Sequence, residues 1–253
     1  MRRIINEKYG SLLLTDDDRD EATENLCCGM PSIGIGLSYH GRAGVVVEDE
    51  DQLDEEFLEQ TWRRFYQKPV TIARTERLLI REMAFDDLKE VEQLYERCAS
   101  EFLKPFEYTG LSVQEANRKF VGYRRSMYEL MNLGLYLVYR VDEAGTAGPQ
   151  RLIGRVGIEW IDDHAEFQYM IAKDERNHGY ATEAIHAVLK HAKKLGIEDV
   201  YLRVHVDNAA SLHLAKKLGF EPVTDGEAGK TGLEPIADGE IKKARLCLCR
   251  AGV

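Results

Sequence analysis

The sequence predicts an α/β protein in two unequal parts, with short strands and amphipathic helices following one another along the chain. Three observations carry this. Apolar runs of roughly four to eight residues alternate with stretches whose apolar residues recur at three- and four-residue steps. The 253 residues exceed one minimal domain and suit one large or two unequal ones. Charge is unevenly placed: residues 1–60 hold 15 acids and 5 bases, whereas residues 61–253 hold 29 of each. The net charge of −10 therefore belongs to the N-terminal quarter.

Residues 1–68 read as a small acidic α/β unit. Ser11 to Thr15 is a short buried-strand run that ends in Asp16, Asp17 and Asp18, and a short helix is expected from Asp20 to Cys27. Gly29 to Gly36 reads as a turn and a second strand, and Gly44 to Val47 as a third. Residues 52–66 have helical spacing, with Leu53, Phe57, Leu58, Trp62 and Phe65 near one face and Asp51 as the N-cap. Lys68-Pro69 ends that helix. Alternating strands and helices favour parallel pairing. Trp62, Phe65 and Tyr66 read as core.

Residues 73–253 form the larger part. Arg77 to Met83 reads as a strand; Asp86 and Asp87 precede a helix to Ala99, with Leu88, Val91, Leu94 and Tyr95 inward. A helix over 112–132 opens with Ser112 as N-cap and Glu115 three residues on, a capping-box pattern. Strands follow at 135–141, 151–160 and 164–172, the last two joined by a hairpin at Asp162-Asp163. Residues 143–150 are a loop. A helix spans 180–195, closed by Gly196. Val200 to Val206 is a strand, Asn208 caps a helix to Leu218, and Phe220 to Val223 is a strand. A loop fills 224–240 before the last strand, Lys243 to Cys249.

Composition excludes several classes. No apolar run reaches the roughly 20 residues of a membrane span, and the N-terminus lacks the apolar core of a secretory signal. Neither part has the clustered positive field that nucleic acid requires. Cys27, Cys28, Cys98, Cys247 and Cys249 make a poor disulfide framework and no zinc spacing, so no metal site is expected. A cytoplasmic protein with reduced thiols follows.

The chemistry concentrates in Ile171 to Ala184, where a strand runs into a short loop that opens onto a long helix. Gly179 lets the backbone turn so that successive amides point inward. Such amides, with the helix N-terminus, hold an anion without cationic side chains. Spacing alone leaves a plain strand–loop–helix connection equally open.

Arg176-Asn-His-Gly-Tyr-Ala181 matches the Q/R-x-x-G-x-G/A pattern of the GCN5-related N-acetyltransferases (GNAT), with Ala181 in the last position. Ala165 to Ala172 before it and Thr182-Glu-Ala184 after it suit that setting. Asp207 to Phe220 resembles the family's second signature, N-x-x-S followed by K-x-G-F. Thr75-Glu-Arg-Leu-Leu-Ile-Arg81 looks like the first strand of the branch holding ribosomal-protein and spermidine acetyltransferases. The resemblance covers residues 73–250 and implies a mixed, mostly antiparallel curved sheet flanked by helices. It implies acetyl-CoA as co-substrate, held between strands 164–172 and 199–206. Backbone groups of Met170 and Ile171 would pair with the pantetheine arm. Amides of Arg176, Asn177, His178, Gly179, Tyr180, Ala181 and Thr182 would cradle the pyrophosphate. Asn208 would reach the pantetheine or phosphate side and Ser211 the sulfur; Asn208 also reads as an ordinary N-cap and Ser211 as a small polar residue of the first helical turn.

The implied activity is acetyl transfer to a primary amine of a small molecule or of a peptide or protein N-terminus, by direct attack on the thioester. The ammonium, with a pKa of roughly 10, must first lose a proton, and a carboxylate can take it. Glu166 is the first candidate base and Glu159 the second, with His164 an exposed hairpin histidine of lesser weight. Solvated strand charges are the plainer reading of both carboxylates. The family's tyrosine acid falls on Ala215, a departure; Ser211 could substitute, and Tyr180 and Tyr201 have no positional support. The helix over 112–132 and the loop over 224–240 would line the acceptor side. A homodimer is compatible with the sequence. The alternative is a CoA-binding sensor without turnover, whose acidic unit docks a partner.

Residues 1–68 resemble the last third of the haloacid-dehalogenase-type phosphatases: a strand ending in acids, a Gly-Met-Pro turn, Val-Val-Val-Glu-Asp and a terminal helix. Asp16, Asp17, Asp18 and Asp20 would be the remnant of a magnesium cluster. The nucleophilic Asp-x-Asp of that family has no counterpart before Ser11, so phosphatase activity is not expected.

Overall fold

The computed structural model describes residues 2–6, 10–15, 31–36, 45–100, 102–141, 151–161, 164–223 and 241–247. Asp16, Asp17, Asp18, Asp20, the helix expected at 20–27, Cys27, Cys28, Cys249, the Asp162-Asp163 turn and the loops at 143–150 and 224–240 lie outside these residues. The chain divides into two compact units, Met1–Val70 and Thr71–Val253.

The first unit has a four-stranded sheet of β1 (Arg2–Asn6), β2 (Gly10–Thr15), β3 (Ser32–Ile35) and β4 (Val45–Val47), in that order. β2–β3 and β3–β4 are parallel, while β1 adds an antiparallel hairpin arm that the charged lead-in did not suggest. Leu12, Leu14, Ile33 and Val47 form its core, with Leu53, Phe57 and Leu58 packed on them. Helix α1 runs over Glu55–Phe65 and is capped by Asp54, not Asp51: the Asp54 carboxylate accepts from the Phe57 amide at 2.7 Å. A short 3-10 turn over Glu50–Gln52, capped by Asp49, holds Asp51 inside it and displaces the helix start. Phe65 and Tyr66, expected in the core, are 37% and 46% exposed, because Gln60, Thr61 and Arg64 take the buried stripe.

The second unit is built on a sheet of eight described strands in the order β11-β12-β10-β9-β8-β7-β6-β5. These are β5 (Thr71–Arg74), β6 (Leu78–Arg81), β7 (Gly134–Arg140), β8 (Arg151–Ile161), β9 (His164–Ile171), β10 (Asp199–His205), β11 (Glu221–Pro222) and β12 (Ile241–Cys247). Every neighbouring pair is antiparallel except β9–β10. Helix α2 spans Leu88–Cys98, α3 Val113–Tyr123, α4 Tyr180–Lys194 and α5 Ala209–Lys217. The Ser112–Glu115 capping box opens α3, with the Ser112 amide donating to the Glu115 carboxylate at 2.9 Å. The predicted helix over 112–132 continues as a π-helical stretch, Arg124–Leu130, which brings Tyr128 into the core. No described helix is long and apolar enough to cross a membrane.

Strand alternation sorts side chains onto two faces. Val156, Ile158, Phe167, Val200 and Leu202 pack with Ala184, Ile185, Val188 and Leu189 of α4. On the other face Leu137, Tyr139 and Leu152 pack with Val91 and Leu94 of α2 and Phe120 of α3. Gly157 sits where β7 and β8 run too close for a side chain: a Cβ there would lie 1.9 Å from the Gly134 carbonyl oxygen. Any larger residue would force the central strands apart.

Candidate active site

β9 and β10 are the only parallel neighbours in this sheet among the described residues, and their pairing is brief. Ala165 opposes Val200 and Glu166 opposes Tyr201; beyond that the strands part. A wedge-shaped opening results, with its vertex at Glu166–Tyr201. The Ala172 amide donates to the Ile153 carbonyl on β8 at 2.8 Å. Strand alternation therefore turns the Met170 backbone toward β8 and the Tyr169 and Ile171 backbones toward the opening. Of the two residues expected to pair with an extended ligand arm, Ile171 faces it and Met170 does not. Tyr169, which sequence reasoning passed over, turns its backbone to the opening as well.

Beyond Ile171 a 3-10 turn over Lys173–Glu175 leads through Arg176, Asn177 and His178 to Gly179. The Arg176 guanidinium folds back to donate from Nε to the Ile171 carbonyl at 3.1 Å, closing the loop on itself. Asn177 and Gly179 have φ of 65° and 81°, the left-handed geometry that reverses the chain. Gly179 is the N-cap of α4 and supplies no side-chain hydrogen bond, so the first amides of the helix, from Tyr180, Ala181 and Thr182 onward, lack a side-chain cap. They carry the positive end of a 15-residue helix.

This loop is held from outside by Thr75 and Arg77, which the sequence marked only for their likeness to the family's first strand, and by Glu183. Glu183, in the first turn of α4, is held by Thr75 and Arg77. It accepts from Thr75 Oγ1 at 2.5 Å and from Arg77 Nε at 2.8 Å. Burial would raise its pKa, but those hydrogen bonds and the Arg77 charge hold it below the ordinary carboxylate value. Arg77 also donates to the His178 carbonyl at 2.9 Å and lies over the Tyr180 ring, which stacks on His178. Thr75 and Arg77 sit just before β6, more than a hundred positions from Glu183. Only the complementary charges could have hinted at the pairing.

The face turned toward α2 and α3 carries the candidate bases. Glu159 and Glu166 are direct partners across β8–β9, but their surroundings differ. Glu166 is buried at 6% exposure and ion-paired with Arg203, with His164 Nε2 at 3.7 Å. His164, expected on an exposed hairpin, is buried at 5% and edge-on to Tyr201. Glu159 accepts from Gln168 Nε2 at 2.8 Å, and no cation lies within ion-pair distance of it among the described residues. Burial raises its pKa, against the opposing hydrogen bonds of Tyr123 and Gln168 and the charge of Arg155. Arg155, four residues back on the same face, is 3% exposed; it pairs with Glu107 at 2.9 Å and donates to the Tyr95 hydroxyl at 3.0 Å. That pair ties the segment between α2 and α3 to the sheet.

The start of α5 closes the far side. Asn208 Oδ1 accepts from the Ser211 amide at 3.2 Å, the N-cap role. Ser211 Oγ accepts from the Tyr169 hydroxyl at 2.9 Å. Ala215, one turn beyond Ser211 on the same helix face, is buried in the core. Tyr180 is occupied with His178 and Arg77, and Tyr201 with His164.

A family model described as the acetyltransferase (GNAT) domain matches residues 77–221. No curated protein matches the chain. Among solved structures, a GnaT-family acetyltransferase from Bordetella pertussis is similar at a TM-score of 0.51 and 20% identity, over 68% of this chain and 97% of that one. Spermidine N-acetyltransferase from Vibrio cholerae, in complex with CoA and spermine, is similar at 0.50 and 21%, over 69% and 98%. At these identities the two structures establish the fold.

Proposed function

Since the chain belongs to the GNAT acetyltransferases, with acetyl-CoA as co-substrate, we propose that it transfers the acetyl group to a primary amine by direct attack on the thioester. The acceptor is a small-molecule amine or a peptide or protein N-terminus. The observation that carries this reading is the wedge between β9 and β10, which opens beside the uncapped start of α4 at Gly179.

The residues divide the work as follows. Amides from Arg176 to Thr182, preorganised by the left-handed turn, bind the pyrophosphate. The backbones of Tyr169 and Ile171 pair with the pantetheine arm as a strand would. Asn208 orients the start of α5, and Ser211 stands toward the sulfur. Glu159 is the general base: among the described residues no cation is in ion-pair contact with it, and burial strengthens it as a proton acceptor. Glu166, ion-paired with Arg203, serves to hold β9 against β10. Attack by the neutral amine gives a tetrahedral oxyanion, which a β9 backbone amide facing the opening would stabilise. Collapse expels the thiolate.

The test is thermal unfolding with and without acetyl-CoA, beside a thiol-release screen over polyamines, aminoglycosides, amino acids and peptide N-termini. At a hundred times its dissociation constant a ligand of the folded state stabilises by about 2.7 kcal/mol. The expected result is a raised melting temperature with thiol release for one amine class. No shift would overturn the cofactor placement, and a shift without release for any amine would overturn the activity.

A further inference from the structure

We propose that Tyr169 is a positioning residue for protonation of the leaving thiolate, acting through Ser211; this rests on the acetyl-transfer reading above. Its hydroxyl donates to Ser211 Oγ at 2.9 Å. The bond runs from β9, one wall of the wedge, to the first turn of α5, the element that follows the other wall. The Tyr169 backbone faces the opening, so an arm lying along β9 from the Gly179 loop toward the vertex passes this pair. The Tyr169 ring packs on the apolar core and the Ser211 amide is fixed by Asn208, so both hydroxyls sit on rigid supports.

A serine hydroxyl alone is a rotor and a weak acid. Accepting a hydrogen bond occupies one lone pair of Oγ, limits the orientations of its own hydrogen, and polarises that O–H bond. In the step proposed, the amine nitrogen bonds to the carbonyl carbon and the C–S bond breaks, its electron pair going to sulfur. Glu159 passes the ammonium's first proton to water before attack and takes the second once the nitrogen–carbon bond has formed. Sulfur takes the Ser211 hydrogen, Ser211 recovers one from Tyr169, and the phenolate is reprotonated from water as CoA leaves. Glu159 returns its proton to water, so the protons balance over a turnover. Burial raises the phenol pKa against the hydrogen bond to Ser211 and the charge of Arg176, so Tyr169 is a protonated donor throughout the neutral range.

The experiment compares wild type, Tyr169→Phe, Ser211→Ala and the double variant for kcat, for KM toward acetyl-CoA and across pH. Expected for Tyr169→Phe are a kcat lower by roughly ten-fold or more and little change in KM. The double variant should be no slower than Ser211→Ala, because both substitutions break one relay. A further variant carries 3-fluorotyrosine at 169, which keeps the ring and hydroxyl but makes the phenol more acidic. It should move the alkaline limb of kcat to lower pH, and it decides the matter if the Phe variant does not fold. Wild-type turnover in Tyr169→Phe, losses that multiply in the double variant, or an unmoved alkaline limb would each overturn the proposal alone. A wild-type protein that releases no thiol with any amine would overturn the acetyl-transfer reading itself.

Discussion

Glu159 and Glu166 show how neighbours divide the roles of two like side chains. They face each other across one pair of strands. Glu166 has a guanidinium in ion-pair contact, whereas Glu159 has amide and phenol donors and a raised pKa. A base must be ionised, so the acid limb of kcat/KM should lie above the ordinary carboxylate range and vanish in Glu159→Gln, with a rate loss on the order of a hundred-fold. Stability should move the other way. A carboxylate whose folded pKa is raised binds its proton more tightly when folded, so its ionised form costs stability above that pKa. Glu159→Gln should therefore keep or raise the melting temperature at neutral pH. Glu166→Gln should lower it, by stranding Arg203, while slowing turnover far less. Thermal melts and pH–rate profiles of the two variants decide between the carboxylates; equal rate losses would return Glu166 to contention.

At the scale of elements, the loop between β9 and α4 is shaped by its own residues and braced by others. Asn177 and Gly179 supply the left-handed backbone, and Arg176 closes the turn. The bracing comes from Thr75 and Arg77, which hold Glu183 and the His178 carbonyl. Removing the brace should loosen the amide cradle and leave the reacting groups in place. Arg77→Ala is expected to raise KM for acetyl-CoA several-fold with kcat nearly unchanged, measured by steady-state kinetics; a fall in kcat alone would show that Arg77 acts elsewhere. The capping box of Ser112 was legible because it is contained in four consecutive residues. The π-helical end of the same helix was not, because it arises where Tyr128 inserts against β6 and β7, donating to the Leu135 carbonyl at 2.6 Å.

At the scale of the whole molecule, the proposed function puts cofactor binding and chemistry in separable parts of one opening. Gly179→Glu puts a side chain and a negative charge at a φ of 81°, beside the helix amides. It should abolish the acetyl-CoA-dependent rise in melting temperature, whereas Glu159→Gln should retain it. An undiminished shift in Gly179→Glu would move the pyrophosphate away from this loop. The first unit adds a mostly parallel four-stranded sheet with its own small core.

Outside β1 and β5, which no sequence signal marked, the strand and helix order, together with the capping box, the Gly179 turn and the family, were determined by the sequence alone. Each depends on residues close together in the chain, and local backbone preference and hydrophobic period are written at that range. The tertiary structure alone decided which backbones face the wedge and which of two carboxylates is ion-paired with Arg203. It also decided that Arg77 braces the loop and that the Tyr169 hydroxyl meets Ser211. Those outcomes depend on strand register and on groups brought together from distant segments, and burial and partner charge act on a side chain only once packing has chosen its neighbours.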